Sequence, residues 1–290
     1  MADGRFHLGG NAAPRLRPQH TLWSLGRLPI NSEVEWTLDE KFSRVAAAGF
    51  EAVECWLSPE NEVEVRDALQ RHGLALALGH RPFTPDDTRR TLEQAVRLGA
   101  QYVLAQPATA FTPLADVVEL VRDGLRRSAD LGIPIFYETH RNNFTETIPQ
   151  TIALIEAVPE IPITADLSHF VVVGEFYGWA EEDAVGKMRP ILERVRSIHG
   201  RVSNGEQVQV DCGDGSPPWA RLFVQLWAEA MRHWRNGAGP GDILPFSSEL
   251  GPPRYAITTP DGLEVSDRWT QSLVMRDLAF EAWELSGKPA

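Results

Sequence analysis

The sequence predicts a single α/β domain folded as a (β/α)8 barrel, and three observations lead there. Eight short apolar runs recur along the 290 residues, each followed by a longer amphipathic stretch, the pattern of βα units around a parallel sheet. No Pro/Gly/Ser-rich linker or shift in composition divides the chain, so residues 1–290 read as one domain, with 1–18 as an irregular N-terminal arm. The turn after the first expected strand, SLGRLPINS, carries no GxGxxG, which argues against a doubly wound nucleotide-binding sheet.

In order, strands are expected at residues 20–25 (HTLWSL), 51–56 (EAVECW), 74–79 (LALALG), 102–106 (YVLAQ), 134–138 (PIFYE), 162–166 (PITAD), 196–199 (RSIH) and 243–249 (ILPFSSE). Helices between them include 91–98, 114–129, 151–158 and 218–234, where apolar side chains fall three and four apart. A closing helix is expected over 265–285, with Gly287 and Pro289 marking its stop. Trp219, Phe223 and Trp227 read as the face that the 218–234 helix packs on the barrel.

Composition narrows the class of function. A formal net charge of -12 argues against a protein that grips phosphate backbones through clustered Lys and Arg, so no nucleic-acid partner is expected. Cys55 and Cys212 are the only cysteines, too few for a disulfide framework, and the first 18 residues hold no long apolar run. Reduced thiols, no membrane and a cytoplasmic location are the expectation. The only lysines, Lys41, Lys187 and Lys288, lie in expected helices and the tail, which argues against a Schiff-base aldolase.

In such a barrel the reactive groups stand at the C-terminal ends of the strands. The fifth expected strand ends in Glu138, the sixth in Asp166 with His169 three residues on, the seventh in His199 and the eighth in Glu249. Each follows an apolar run, where an unpaired carboxylate costs several kcal/mol unless its charge is compensated. Two Glu, one Asp and one or two His form a hard-donor set suited to one divalent ion, Mn²⁺, Mg²⁺ or Co²⁺, with Zn²⁺ a further candidate. The competing reading makes them polar strand ends bonded to loop backbone.

His169 is expected in the loop after its strand, as a substrate contact ahead of a metal ligand. His140 and Arg141 follow Glu138 closely, and His140 is a candidate to orient that carboxylate or touch substrate. Trp23, Glu54, Trp56, His80 and Gln106 end or follow the first four strands, where aromatic faces and hydrogen-bonding tips suit a polyhydroxylated substrate. Arg201 is a candidate anion or hydroxyl clamp. Each also has an ordinary structural reading as packing, capping or solvated surface.

The ordered set Glu138, Asp166-x-x-His169, His199 and Glu249, with the segments ETHRNNFTETIPQT, ADLSH and ELGPPRY, resembles the xylose isomerase-like TIM-barrel superfamily. The resemblance covers nearly the whole chain and is strongest to its sugar isomerase and epimerase branch, which includes D-tagatose 3-epimerase. It implies one metal held by Glu138, Asp166, His199 and Glu249, with His169 on the substrate and the two glutamates as acid and base. It also implies a small carbohydrate substrate and a homo-oligomer. The segment GRVSNGEQVQVDCGDGSPP departs from the epimerase pattern. The expected activity is sugar or cyclitol isomerisation or epimerisation by proton transfer through a metal-stabilised enediolate. A metal-dependent lyase or dehydratase is the alternative, with an apurinic-endonuclease-like phosphodiesterase and a non-catalytic sugar-binding subunit behind it.

Overall fold

The computed structural model of the chain describes residues 4–176 and 181–288. Eight parallel strands close on themselves: β2 (Arg15–Thr21), β3 (Ala52–Cys55), β4 (Ala75–His80), β5 (Val103–Ala105), β6 (Ile135–Glu138), β7 (Ile163–Ala165), β8 (Val195–Gly200) and β9 (Asp242–Ser248). Each pairs in parallel with the next, and β9 pairs in parallel with β2, so the sheet is a closed barrel. Closure leaves no barrel strand with a free hydrogen-bonding edge.

Helices separate the strands: α1 (Leu38–Ala47), α2 (Glu62–Arg71), α3 (Pro85–Leu98), α4 (Leu114–Leu131), α5 (Ile148–Ala157), α6 (Leu167–Val173), α7 (Glu181–Leu192), α8 (Pro218–Arg235) and α9 (Arg268–Ser286). Local chemistry sets their starts. Thr37 and Glu40 close a capping box on α1, and Thr84 with Asp87 closes one on α3. The second box starts α3 at Pro85, six residues before the start expected from apolar spacing. Phe223 and Trp227 of α8 are fully buried, whereas Trp219 is part-exposed and donates its indole N–H to the Asp211 carbonyl.

The N-terminal boundary corrects the sequence reading. The first barrel strand is Arg15–Thr21, whereas residues 23–25 form a 3-10 turn, so residues 15–18 belong to the barrel and not to an irregular arm. Phe6–His7 forms a further short strand, β1, antiparallel to β9, and residues 1–3 and Pro289 lie outside the described residues. The cause is a polar layer inside the barrel. Arg17 bonds Gln19 and Gln101, and Gln19 bonds the Tyr102 hydroxyl at 2.6 Å and Ser247 at 3.2 Å. RLRPQHT therefore shows no apolar run, although its last six residues are all buried. Phe6 plugs that end of the barrel beside Tyr102, Phe136 and Ile243, under the Arg17 guanidinium.

Candidate metal centre and cavity

Strand register gathers the four expected ligands. Glu138 is the last residue of β6, Asp166 follows β7 directly, His199 is the penultimate residue of β8, and Glu249 follows β9. Backbone bonds lock neighbouring ends, Thr139 N–H to Thr164 at 3.0 Å and Glu249 N–H to Gly200 at 3.0 Å. One ligand atom from each of Glu138, Asp166, His199 and Glu249 lies within 4.8 Å of the other three, and all four residues are buried.

His199 sits at the middle of this cluster. Its Nδ1 is 2.8 Å from Glu249 Oε2 and 3.1 Å from Glu138 Oε1, while its Nε2 is 3.1 Å from Glu54 Oε2. Burial alone would lower the imidazole, but Glu249, Glu54 and Glu138 outweigh it and hold the ring well above the usual histidine range. Burial raises the Glu54 carboxyl and, aided by Glu249 and Glu138, the Asp166 carboxyl. Glu249 behaves oppositely: although burial opposes it, His199 and Arg201 pull its carboxyl down to about 2.

The donor set fits a divalent cation. Asp166 Oδ1 caps α6, accepting from Ser168 N–H at 3.1 Å and Ser168 Oγ at 2.6 Å. Its Oδ2 makes no hydrogen bond, with Arg201 Nη2 and His169 Nε2 each 3.4 Å away. Asp166 is therefore a helix cap through one oxygen and an available ligand through the other. Four buried carboxyl groups around one imidazole and one guanidinium carry a charge excess that protonation of Glu54 and Asp166 relieves in part and that a divalent cation would offset. Glu138, Asp166, Glu249 and His199 Nδ1 would hold the ion, and Glu54 would fix the imidazole from behind, as carboxylates do for metal-binding histidines.

Beside the cluster opens a cavity of about 450 Å³ lined by Thr21, Leu22, Trp23, Trp56, Arg81, Gln106, His140, Arg201, Glu249 and Tyr255. Both indoles rest on residues that lack a side chain. A Cβ on Gly79 would lie 2.4 Å from Trp56 Nε1, and one on Gly251 would lie 2.1 Å from Trp23 Cη2. His140 Nδ1 faces its neighbour's carbonyl, Arg141 O, at 2.5 Å and so donates to it; in the neutral ring Nε2 accepts from the Tyr255 hydroxyl at 3.2 Å.

The remaining expected site residues fall into place differently. Trp23, His140 and Arg201 line the cavity, as do Trp56 and Gln106. Arg201 is also buried against Glu249, 2.6 Å from Oε2, so its charge is already matched. Glu54 stands behind His199 and is absent from the lining, and His80 turns to Thr91 Oγ1 at 3.1 Å. His169 lies in the first turn of α6, not in a loop, because the Asp166 cap starts the helix at once. It is fully buried against His140, ring centroids 4.1 Å apart, and burial, with the Arg201 guanidinium nearby, holds it well below the usual histidine range.

Two lining residues had no signal in the strand pattern. Arg81 immediately follows the β4 histidine, and Tyr255 arrives on the loop after β9 within the quoted ELGPPRY. The divergent segment after β8 is packed, with Ser203, Val208, Gln209 and Cys212 buried. Gln209 pairs with the backbone of Gly251, donating to its carbonyl at 3.0 Å and accepting its N–H at 2.7 Å. That pair braces the turn carrying Glu249.

The family model described as xylose isomerase-like TIM barrel matches residues 42–235, and the chain belongs to that family. Solved structures share the fold at low identity. A D-allulose 3-epimerase from Methylomonas sp. superposes with a TM-score of 0.56 at 17% identity, covering 96% of this chain and 100% of that one. A xylose isomerase-like TIM barrel protein from Mycobacterium smegmatis, in complex with magnesium, gives 0.57 at 14%, covering 91% and 97%. The probable 3-DHS dehydratase AsbF of Bacillus anthracis, involved in petrobactin synthesis, gives 0.55 at 16%, covering 91% and 98%. No curated protein matches the chain at a significant level. Among the described residues no helix is long and apolar enough to cross a membrane.

Proposed function

We propose that the chain is a divalent-metal-dependent enzyme that transfers a proton at a carbon next to a carbonyl of a small sugar or cyclitol, as an isomerase or epimerase. One observation carries this reading: the buried Glu138, Asp166, His199 and Glu249 donors cluster beside a cavity that opens to the surface, and Glu249 belongs to both. A bound divalent cation would supply Lewis acidity, which makes a carbon acid beside a carbonyl easier to deprotonate. The neighbour crystallised with magnesium and the epimerase neighbour support the assignment.

The chain's own groups then divide the work. Glu249, ionised between His199 and Arg201 and open to the cavity, accepts the proton at a carboxylate oxygen. Arg201 holds that carboxylate through Nη2 at 2.6 Å and the Glu249 carbonyl through Nε at 3.0 Å. Trp23 and Trp56 offer flat apolar surface to the C–H face of a ring, and Gln106, whose amide nitrogen keeps a second N–H beyond its bond to Glu138, offers a polar contact. Glu138, the partner base of a two-face epimerisation, is fully buried with Oε2 bonded to Gln106 at 2.7 Å. That placement favours chemistry needing one base, so elimination by a lyase is the second reading, in keeping with the dehydratase neighbour.

The test is metal titration followed by deuterium incorporation from solvent across ketoses, inososes and oxidised glycosides. The expected result is one stoichiometric divalent ion and exchange at a single carbon, lost in Glu249→Gln with the fold intact. Absence of a stoichiometric metal, with no metal restoring exchange, sinks the proposal. Loss of water from the exchanging substrate selects the lyase reading.

A further inference from the structure

The charges lining the cavity are matched except one. Glu249 and Arg201 neutralise each other at 2.6 Å, with Asp166 also 3.4 Å from Arg201. Arg81, half-buried at the mouth just past β4, has no carboxylate within ion-pair reach among the described residues. Its Nε and Nη2 donate to a neutral acceptor, Gln106 Oε1, at 3.2 and 2.7 Å. The other end of the same amide donates to Glu138 Oε2 at 2.7 Å. Gln106 thus fixes the guanidinium without spending its charge, one amide away from the ligand cluster. The bonds to Gln106 occupy the Nε side, so the Nη1–Nη2 edge remains for an acceptor with two oxygens.

We propose that the substrate carries a carboxylate, bound by Arg81, on the same small molecule whose carbonyl faces the Glu138, Asp166, His199 and Glu249 cluster. The inference rests on the proton-transfer reading above and narrows its substrate class to sugar acids or carboxylated cyclitols. A planar guanidinium presents parallel N–H donors that match a carboxylate in two-point contact, and the pairing is strengthened where water is excluded. A phosphate dianion fits less well. It carries more charge than one guanidinium neutralises, and Arg201 is already committed; the chain's three lysines are Lys41 and Lys187 on outer helices and Lys288 in the tail.

Calorimetric titration of the magnesium-loaded full chain with matched probes tests this: D-fructuronate against D-fructose and D-fructose 6-phosphate, and quinate against myo-inositol. At least one acid should bind about tenfold or more tightly than its neutral counterpart. Arg81→Gln should reduce that preference to within about twofold, the acid losing more affinity than its neutral counterpart, and Arg81→Lys should restore part of it. The proposal is overturned if neither acid is preferred, or if neither binds. It is also overturned if Arg81→Gln weakens acid and neutral probes equally, which would make Arg81 a support for Gln106, or if the phosphate ester binds more tightly than the acid. Failure of the enzymatic reading is seen separately: no stoichiometric metal and no deuterium exchange, with the acid preference and its dependence on Arg81 intact, removes the reaction and keeps the anion site.

Discussion

Glu54→Gln isolates the carboxylate behind the metal centre. The substitution keeps the shape and leaves an amide oxygen able to accept from His199 Nε2, 3.1 Å away in the wild type, but removes a charge buried to 1% exposure. A hydrogen bond to a charged partner contributes about 1.5–3 kcal/mol against roughly 0.5–1.5 for a neutral one, so the exchange costs about 1–1.5 kcal/mol of support for the imidazole. That corresponds to roughly five- to tenfold weaker Mn²⁺ binding, near the low end of the roughly 10–100-fold effects seen when such outer partners are lost. The metal-free protein should move the opposite way. With one fewer acid crowding Glu138, Asp166 and Glu249, and with a carboxyl already raised by burial removed, its melting temperature should rise or hold. The stabilisation conferred by saturating Mn²⁺ should meanwhile shrink by about 1 kcal/mol. Calorimetric Mn²⁺ titration and melting with and without the ion give both readings. Unchanged affinity would falsify the supporting role, and complete loss of binding would make Glu54 a direct ligand.

Gly251→Ala should drive the Trp23 indole off the cavity wall, because its new Cβ would lie 2.1 Å from Cη2. The expected outcome is a KM for the cognate substrate raised roughly tenfold, with a smaller change in Mn²⁺ affinity in a parallel titration because Gln209 still braces the Glu249 turn; an unaltered KM contradicts a binding role for that wall. His20 predicts a pH dependence of stability. Its ring is buried between Phe50 and Trp269, and burial lowers its pKa to about 4 from an ordinary 6.5. The unfolded chain therefore takes up this proton first, and stability falls as pH drops from about 6.5 to about 4, by on the order of 3 kcal/mol. Urea unfolding of wild type and His20→Phe across that range should show a shallower slope in the variant, and equal slopes would rule the histidine out.

The sequence by itself determined the barrel, its eight-fold alternation and the order Glu138, Asp166, His199, Glu249. Those follow from local rules, since a strand that buries both faces reads as an apolar run, and a carboxylate at the end of such a run stands out. The same rule misplaced the first strand, because Arg17 and Gln19 satisfy one another inside the barrel and leave no apolar signature. Tertiary structure decided what each polar tip does. Glu54 looks like a cavity residue in sequence, but parallel pairing of β2 with both β3 and β9 closes the sheet and sets it behind His199. Asp166 divides its two oxygens between a helix cap and the cluster, a division visible only once α6 starts on it. Arg81 and Tyr255 enter the cavity from chain segments some 170 residues apart, and only barrel closure brings such distant loops to one mouth.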